Sequence, residues 1–133
     1  MAAARAAMIH AYAPYSGFPV GAAVEAEGGG GGGARSLYAG VNVENASYPL
    51  AICAERTAVG AAVAAGARRL TAVAVASRGE PPATPCGACR QVLAEFNPGM
   101  LVLVGGPEGP WARYTLGELL PHPFLQGGSA HGV

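Results

Sequence analysis

The stretches Cys53-Ala54-Glu55-Arg56 and Pro85-Cys86-Gly87-Ala88-Cys89-Arg90 hold every cysteine of the chain, and their reading decides the fold around them. Cys86 and Cys89 stand at i and i+3, so a helix starting near Pro85 puts both sulfurs on one face at its N-terminal end. Cys53 follows Tyr48-Pro49 and precedes the alanine-rich run from Glu55 to Ala65, which places it at a second helix start. A metal ion lying off two helix N-termini is within reach of first-turn side chains of both, and the positive helix ends favour ionised thiols. Three thiolates leave the fourth tetrahedral position of a zinc ion free for water, which separates a catalytic zinc from a closed structural one. Glu55, two residues after Cys53, is near enough to hydrogen-bond that water without being a ligand, as a general base requires.

Outward from these helices, the spacing of apolar residues predicts alternating elements. Met1 to Tyr12 reads as a helix ended by Pro14, with Tyr15 to Pro19 a loop. Val20 to Glu27 reads as a strand, and so does Leu37 to Glu44. Between them lies Gly28 to Gly33. A glycine run invites a phosphate-cradle reading, but a strand follows it rather than a helix start, which favours a flexible hairpin turn. On the second strand the two-residue period sets Asn42 and Glu44 on one face, opposite Val41 and Val43. That polar face is either solvated or a binding face.

The helix from Ile52 to Ala65 carries Gly60, followed by Gly66, and these invite close approach of a neighbouring backbone. Leu70 to Ala76 is a strand covered on both faces, Arg78 to Thr84 a loop, and Cys86 to Phe96 the second metal helix, stopped by Asn97-Pro98-Gly99. Met100 to Val104 and Trp111 to Tyr114 are further strands around a turn from Gly105 to Pro110. Thr115 with Glu118 forms a capping box for a last short helix. The segment 126–133 reads as a disordered tail. Strands alternating with helices predict an α/β layered domain with a mixed sheet of about five strands, and 133 residues make one domain, 1–133.

Composition removes several chemistries. Eight arginines balance eight glutamates, with neither lysine nor aspartate, so there is no Schiff-base lysine, no phosphate-loop lysine and no Ser-His-Asp triad. Zero net charge without a basic cluster argues against nucleic-acid binding. No apolar run approaches the roughly 20 residues of a membrane span. Arg5 and His10 interrupt the first segment where a secretion signal needs continuous apolar sequence, so a cytoplasmic protein is expected.

On spacing alone, three readings of the cysteines stay open: catalytic zinc, structural zinc, and a Cys86–Cys89 redox pair. A redox pair leaves Cys53 and Glu55 without a task. A structural zinc needs a fourth ligand, and His10, His122 and His131 stand at no recognisable spacing from the cysteines.

The pattern C-x-E with P-C-x-x-C is a signature of zinc-dependent deaminases. Together with Val41-Asn42-Val43-Glu44-Asn45-Ala46-Ser47-Tyr48, Cys53-Ala54-Glu55-Arg56-Thr57-Ala58 and Pro85-Cys86-Gly87-Ala88-Cys89-Arg90-Gln91-Val92-Leu93, it makes the chain resemble the small homotetrameric cytidine deaminases from about Tyr15 to Phe124. That resemblance implies a three-layer α/β/α domain and one zinc per chain on Cys53, Cys86 and Cys89. It also implies Glu55 as the proton shuttle in hydrolysis of cytidine or deoxycytidine to the uridine nucleoside and ammonia. By the same resemblance Asn42 and Glu44 bind ribose hydroxyls, Phe18 packs against the base, backbone groups near Ala54 and Cys86 contact the amino group, and Phe124 enters a neighbouring subunit's site. The implied partner is a small nucleoside. Alternatives are a deaminase of a nucleoside antibiotic such as blasticidin S, and an inactive zinc-stabilised binding module, against which an intact Glu55 speaks. Three thiolates leave zinc with a net negative charge, so at least one of Arg56 and Arg90 is expected to hydrogen-bond a ligand sulfur from outside the ligand set.

Overall fold

The computed structural model describes residues 1–27 and 35–126. In chain order the elements are α1 (Ala2–Met8), β1 (Val20–Glu27), β2 (Arg35–Val41), a 3-10 turn (Tyr48–Leu50), α2 (Ala54–Ala64), β3 (Arg69–Ser77), α3 (Gly87–Phe96), β4 (Leu101–Gly105), β5 (Trp111–Thr115) and α4 (Leu116–Leu119). The strands form one five-stranded sheet in the order β2-β1-β3-β4-β5. It is mixed: β3 and β4 run parallel, and the other neighbours pair antiparallel.

Alternation along the strands builds three layers. Ala22, Val24, Ala26, Val73, Val75, Val102 and Val104 form a core with Ala58 and Ala62 of α2 and Leu93 of α3. The residues between them, Ala23, Ala74 and Ala76, meet Ala4 and Met8 of α1 on the opposite face. The α/β/α expectation therefore holds, because the two-residue period sends successive side chains to opposite sides of the sheet.

Two boundaries differ from the sequence reading by three residues or more. α1 stops at Met8 rather than Tyr12, because Tyr12 is drawn into a bridge with Val43: its N–H donates to the Asn42 carbonyl at 3.0 Å, and its carbonyl accepts from Glu44 N–H at 2.8 Å. β2 ends at Val41 rather than Glu44, since Val43 pairs with Ile52 instead of continuing the ladder. The expected tail 126–133 lies outside the described residues except for Gln126, and so does the glycine turn, although Glu27 and Arg35 on either side pair antiparallel.

α2 ends in a Schellman arrangement around Gly66 at φ +99°, with Ala67 N–H on the Ala62 carbonyl and Gly66 N–H on the Val63 carbonyl, both at 2.9 Å. The close backbone approach expected at Gly60 and Gly66 is found instead at Gly40 of β2. A Cβ there would lie 2.3 Å from Ala58 N and 2.6 Å from the Ala54 carbonyl oxygen, whereas one at Gly60 meets nothing within 4 Å. The first turn of α2, carrying the Cys53-Ala54-Glu55 segment, thus rests directly on strand backbone. Gly40→Ala is expected to cost about 3 kcal/mol, the upper end of ordinary overpacking, and to loosen zinc. Gly60→Ala, in an exposed helix interior, should gain about 0.5–1 kcal/mol. Thermal melts with metal content check both, and a Gly40→Ala protein with parental stability would refute the close-packing account.

Candidate metal centre and active site

Cys53 is the N-cap of α2 and Cys86 the N-cap of α3, with Cys89 in the first turn of α3. The three sulfurs lie within 4.8 Å of one another. Cys53 Sγ and Cys86 Sγ are 3.8 Å apart. Two thiolates on one tetrahedral zinc with Zn–S of about 2.3 Å lie about 3.8 Å apart, so the sulfurs fit a shared zinc ion. Neither helix start has a side-chain capping bond, so its first N–H groups lack a side-chain acceptor.

The sulfurs are electrostatically unequal. Cys53 is held down at about 5, first by a hydrogen bond from Cys89, then against burial by Arg56 and Cys86. Cys89, wholly buried, is pushed up by donating to Cys53, by desolvation and by the nearby Glu55 carboxylate. Cys53 thus ionises first while Cys89 keeps its proton. A divalent cation reverses the second preference, because a coordinated thiol is deprotonated outright.

Arg56 Nη2 donates to Cys53 Sγ at 3.4 Å, placing a fixed positive charge on one of the three sulfurs. Arg90 does not do this. About 100° round the helix from Cys89, it faces the preceding loop and α4: Nε donates to the Pro85 carbonyl at 2.7 Å, Nη2 to Thr84 Oγ1 at 2.9 Å and Nη1 to the Leu119 carbonyl at 2.8 Å. It braces the segment that carries Cys86.

Glu55, at the second position of α2, is only 5% exposed, and burial raises its pKa above the ordinary carboxylate range. A carboxyl poised upward toward neutrality is suited to taking and returning a proton. It lines a cleft of about 170 Å³ together with Asn42, Cys53, Ala54, Ser77 and Thr84, over Val20 and Val75. The Ser77 hydroxyl there is buried without a partner among the described residues. The volume is below the roughly 300–1,000 Å³ of typical small-molecule sites.

Asn42 and Glu44 both hold the loop before β1. Asn42 Nδ2 donates to the Phe18 carbonyl at 2.9 Å, and its Oδ1 accepts from Val20 N–H at 2.8 Å. Glu44 Oε1 accepts from the N–H groups of Tyr15 at 2.9 Å and Ser16 at 3.1 Å, while Oε2 accepts from the Ser16 hydroxyl. These bonds, led by the hydroxyl, hold the Glu44 pKa below the usual carboxylate range. Asn42 lines the cleft; Glu44, beyond the strand end, lines a neighbouring depression of about 360 Å³ with Tyr15, Asn45 and Tyr48. The bracing role of both side chains was not in the sequence reading, which treated them only as a polar face. Phe18 lies beside Gly79, half exposed, and Phe124 is 70% exposed; neither lines the cleft of this chain.

A family profile described as the cytidine and deoxycytidylate deaminase zinc-binding region matches residues 1–104. Over 125 residues the chain is 46% identical to a cytidine deaminase of Sporosarcina psychrophila, covering 93% of this chain and 88% of that protein. A cytidine deaminase of Halalkalibacterium halodurans is 46% identical over 115 residues, covering 86% and 83%. Among solved structures, the crystal structure of cytidine deaminase from Burkholderia pseudomallei superposes with a TM-score of 0.82 at 45% identity, covering 92% of this chain and 94% of that one. With the three-sulfur site and its adjoining carboxylate in hand, these matches make the chain a member of the cytidine and deoxycytidylate deaminase family of zinc-binding proteins.

Proposed function

We propose that the protein hydrolyses cytidine and deoxycytidine to uridine and deoxyuridine with release of ammonia, as a step of pyrimidine salvage. The observation that carries this reading is the set of three sulfurs within 4.8 Å of one another, one of which, Cys53, shares a cleft with the buried Glu55 carboxylate. Zinc held by Cys53, Cys86 and Cys89 supplies a Lewis acid that lowers the pKa of water. Glu55 takes the proton from the attacking water, delivers it to N3 of the pyrimidine as C4 is attacked, and hands on the second proton as the C4–N bond breaks. Water and cytidine thus become uridine and ammonia. Ala54, first residue of α2, has a backbone N–H with no intrahelical acceptor, available to a polar atom of the base.

Asn42 and Glu44 are proposed to receive the sugar. Glu44 has three of about four carboxylate acceptor sites engaged by Tyr15 and Ser16, which leaves one for a ribose hydroxyl. Its negative charge disfavours a nearby phosphate, and the chain has no lysine to offset that. The free nucleoside is therefore the substrate, rather than its monophosphate or nucleic acid.

Phe18 is proposed to pack on the base, and Phe124 to close the site of a neighbouring copy in a homotetramer. Exposed Tyr12, Tyr15, Tyr48, Leu50 and Ile52 provide apolar surface for such assembly. A cytoplasmic location suits three unpaired thiols, which need a reducing compartment to remain available to a metal. No helix among the described residues is long and apolar enough to cross a membrane.

Ammonia release from cytidine, deoxycytidine and their monophosphates tests the reading; no release from either nucleoside overturns it. Glu44→Gln is expected to lower kcat/KM for cytidine by about ten-fold to a hundred-fold, the worth of a charge-assisted hydrogen bond, and to shift relative preference toward the monophosphate. A parent enzyme that uses the monophosphate as well as cytidine would remove Glu44 from this role.

A further inference from the structure

α3 carries two of the three metal ligands, and the residue two positions beyond Cys89 is tied to the far end of the chain. Gln91 Nε2 donates to the Phe124 carbonyl at 2.6 Å, and Gln91 Oε1 accepts from Phe124 N–H at 3.1 Å. One side-chain amide thus satisfies both backbone groups of one residue, much as a neighbouring strand would. Its neighbour Arg90 holds the Leu119 carbonyl at 2.8 Å, so two consecutive residues of the metal helix fasten the segment from α4 to Phe124. The Phe124 ring itself is 70% exposed and stays outside the cleft of its own chain. A backbone held by two hydrogen bonds beneath an outward aromatic ring presents that ring at low conformational cost, an arrangement that serves contact with another molecule rather than a core.

We propose that Gln91 is a positioning residue: its amide clasp fixes Phe124 against the metal helix so that the ring reaches the cleft of a second copy of the chain. This rests on the functional reading above and adds to it the element that aims the ring. The metal helix of one copy then sets the enclosure of its neighbour's cleft. Without the clasp, the ring samples orientations that do not meet substrate, and apparent affinity falls in proportion to the lost competent fraction.

A double-substitution cycle with steady-state kinetics on cytidine tests this, with the parent, Gln91→Leu, Phe124→Ala and the combined variant in the assembled zinc form. Gln91→Leu is expected to raise KM about ten-fold with kcat within about three-fold, because the clasp acts on binding rather than on proton transfer. Phe124→Ala should raise KM at least as much, and adding Gln91→Leu to it should change KM by less than about two-fold. Amide exchange at Phe124 should quicken in Gln91→Leu, a readout independent of turnover. Gln91→Met, which keeps side-chain length, repeats the comparison if the leucine variant does not assemble. Parental KM in either single variant, or effects that multiply in the combined variant, overturns the clasp while leaving deamination intact. A parent without cytidine turnover overturns both the functional reading and the clasp built on it.

Discussion

Glu55→Gln is expected to retain zinc and fold while losing roughly 10²-fold to 10⁴-fold of cytidine turnover, the contribution of a positioned acid-base group. The amide keeps the shape of the side chain, so the cleft formed with Asn42, Ala54 and Ser77 keeps its walls. What it loses is the capacity to take a proton and return it. Stability should not fall, and the sign follows from burial. Desolvation raises the folded-state pKa of Glu55, so its ionised form works against folding, and this penalty grows as pH rises from the ordinary carboxylate value toward the raised one. A neutral amide avoids that penalty above this window. The melting temperature at neutral pH should therefore equal or exceed that of the parent. Turnover, metal content and thermal melts on the same preparation separate the outcomes: turnover within a few-fold of the parent means that another group carries the proton.

The parts that were legible in the sequence are those fixed by local period and spacing. β1 is found at Val20–Glu27, where alternation placed it, and the Thr115–Glu118 capping box closes α4 with Thr115 N–H on Glu118 Oε1 at 2.7 Å. The cysteines meet because each pair element is a helix start, a local property that needs only the β3 strand between them to bring the two starts together. What the sequence concealed are contacts whose partners lie far apart along the chain. Glu44 bonds residues 28 and 29 positions earlier, and Gln91 bonds one 33 positions later. A carboxylate that braces a loop and one that receives a sugar hydroxyl look alike in a strand-period analysis, since both need only an acceptor on a polar face. Of the two arginines that the sequence offered, Arg56 donates to a cysteine sulfur and Arg90 does not. Helical period does not separate the two, since Arg56 stands three residues after Cys53 and Arg90 four after Cys86; Arg90 is held by acceptors at Pro85, Thr84 and Leu119, the last of which is 29 positions away in the chain.

Cys53→Ala is expected to abolish zinc retention and, with it, activity. Changes outside the ligand set cost about 10-fold to 100-fold in metal affinity, and removal of a ligand itself should exceed this, leaving Cys86 and Cys89 alone to hold the ion. Cys53 is the informative position because it is the sole ligand from α2, while the other two share α3. Its side chain makes no capping hydrogen bond, so the helix start does not depend on the sulfur. The loss is therefore expected to be that of the metal's stabilisation together with the hydrogen bonds that Cys53 Sγ accepts from Arg56 and Cys89. The melting temperature of Cys53→Ala should lie at or below that of parent protein stripped with a chelator, which keeps the Arg56 bond to Cys53, and zinc should raise the melting point of the stripped parent but not of the variant, because a ligand stabilises the fold only to the extent that the folded state binds it. Elemental analysis after dialysis decides the matter: one zinc per chain retained in Cys53→Ala would mean that the site is not the three-sulfur centre on which the catalytic assignment of Glu55 depends.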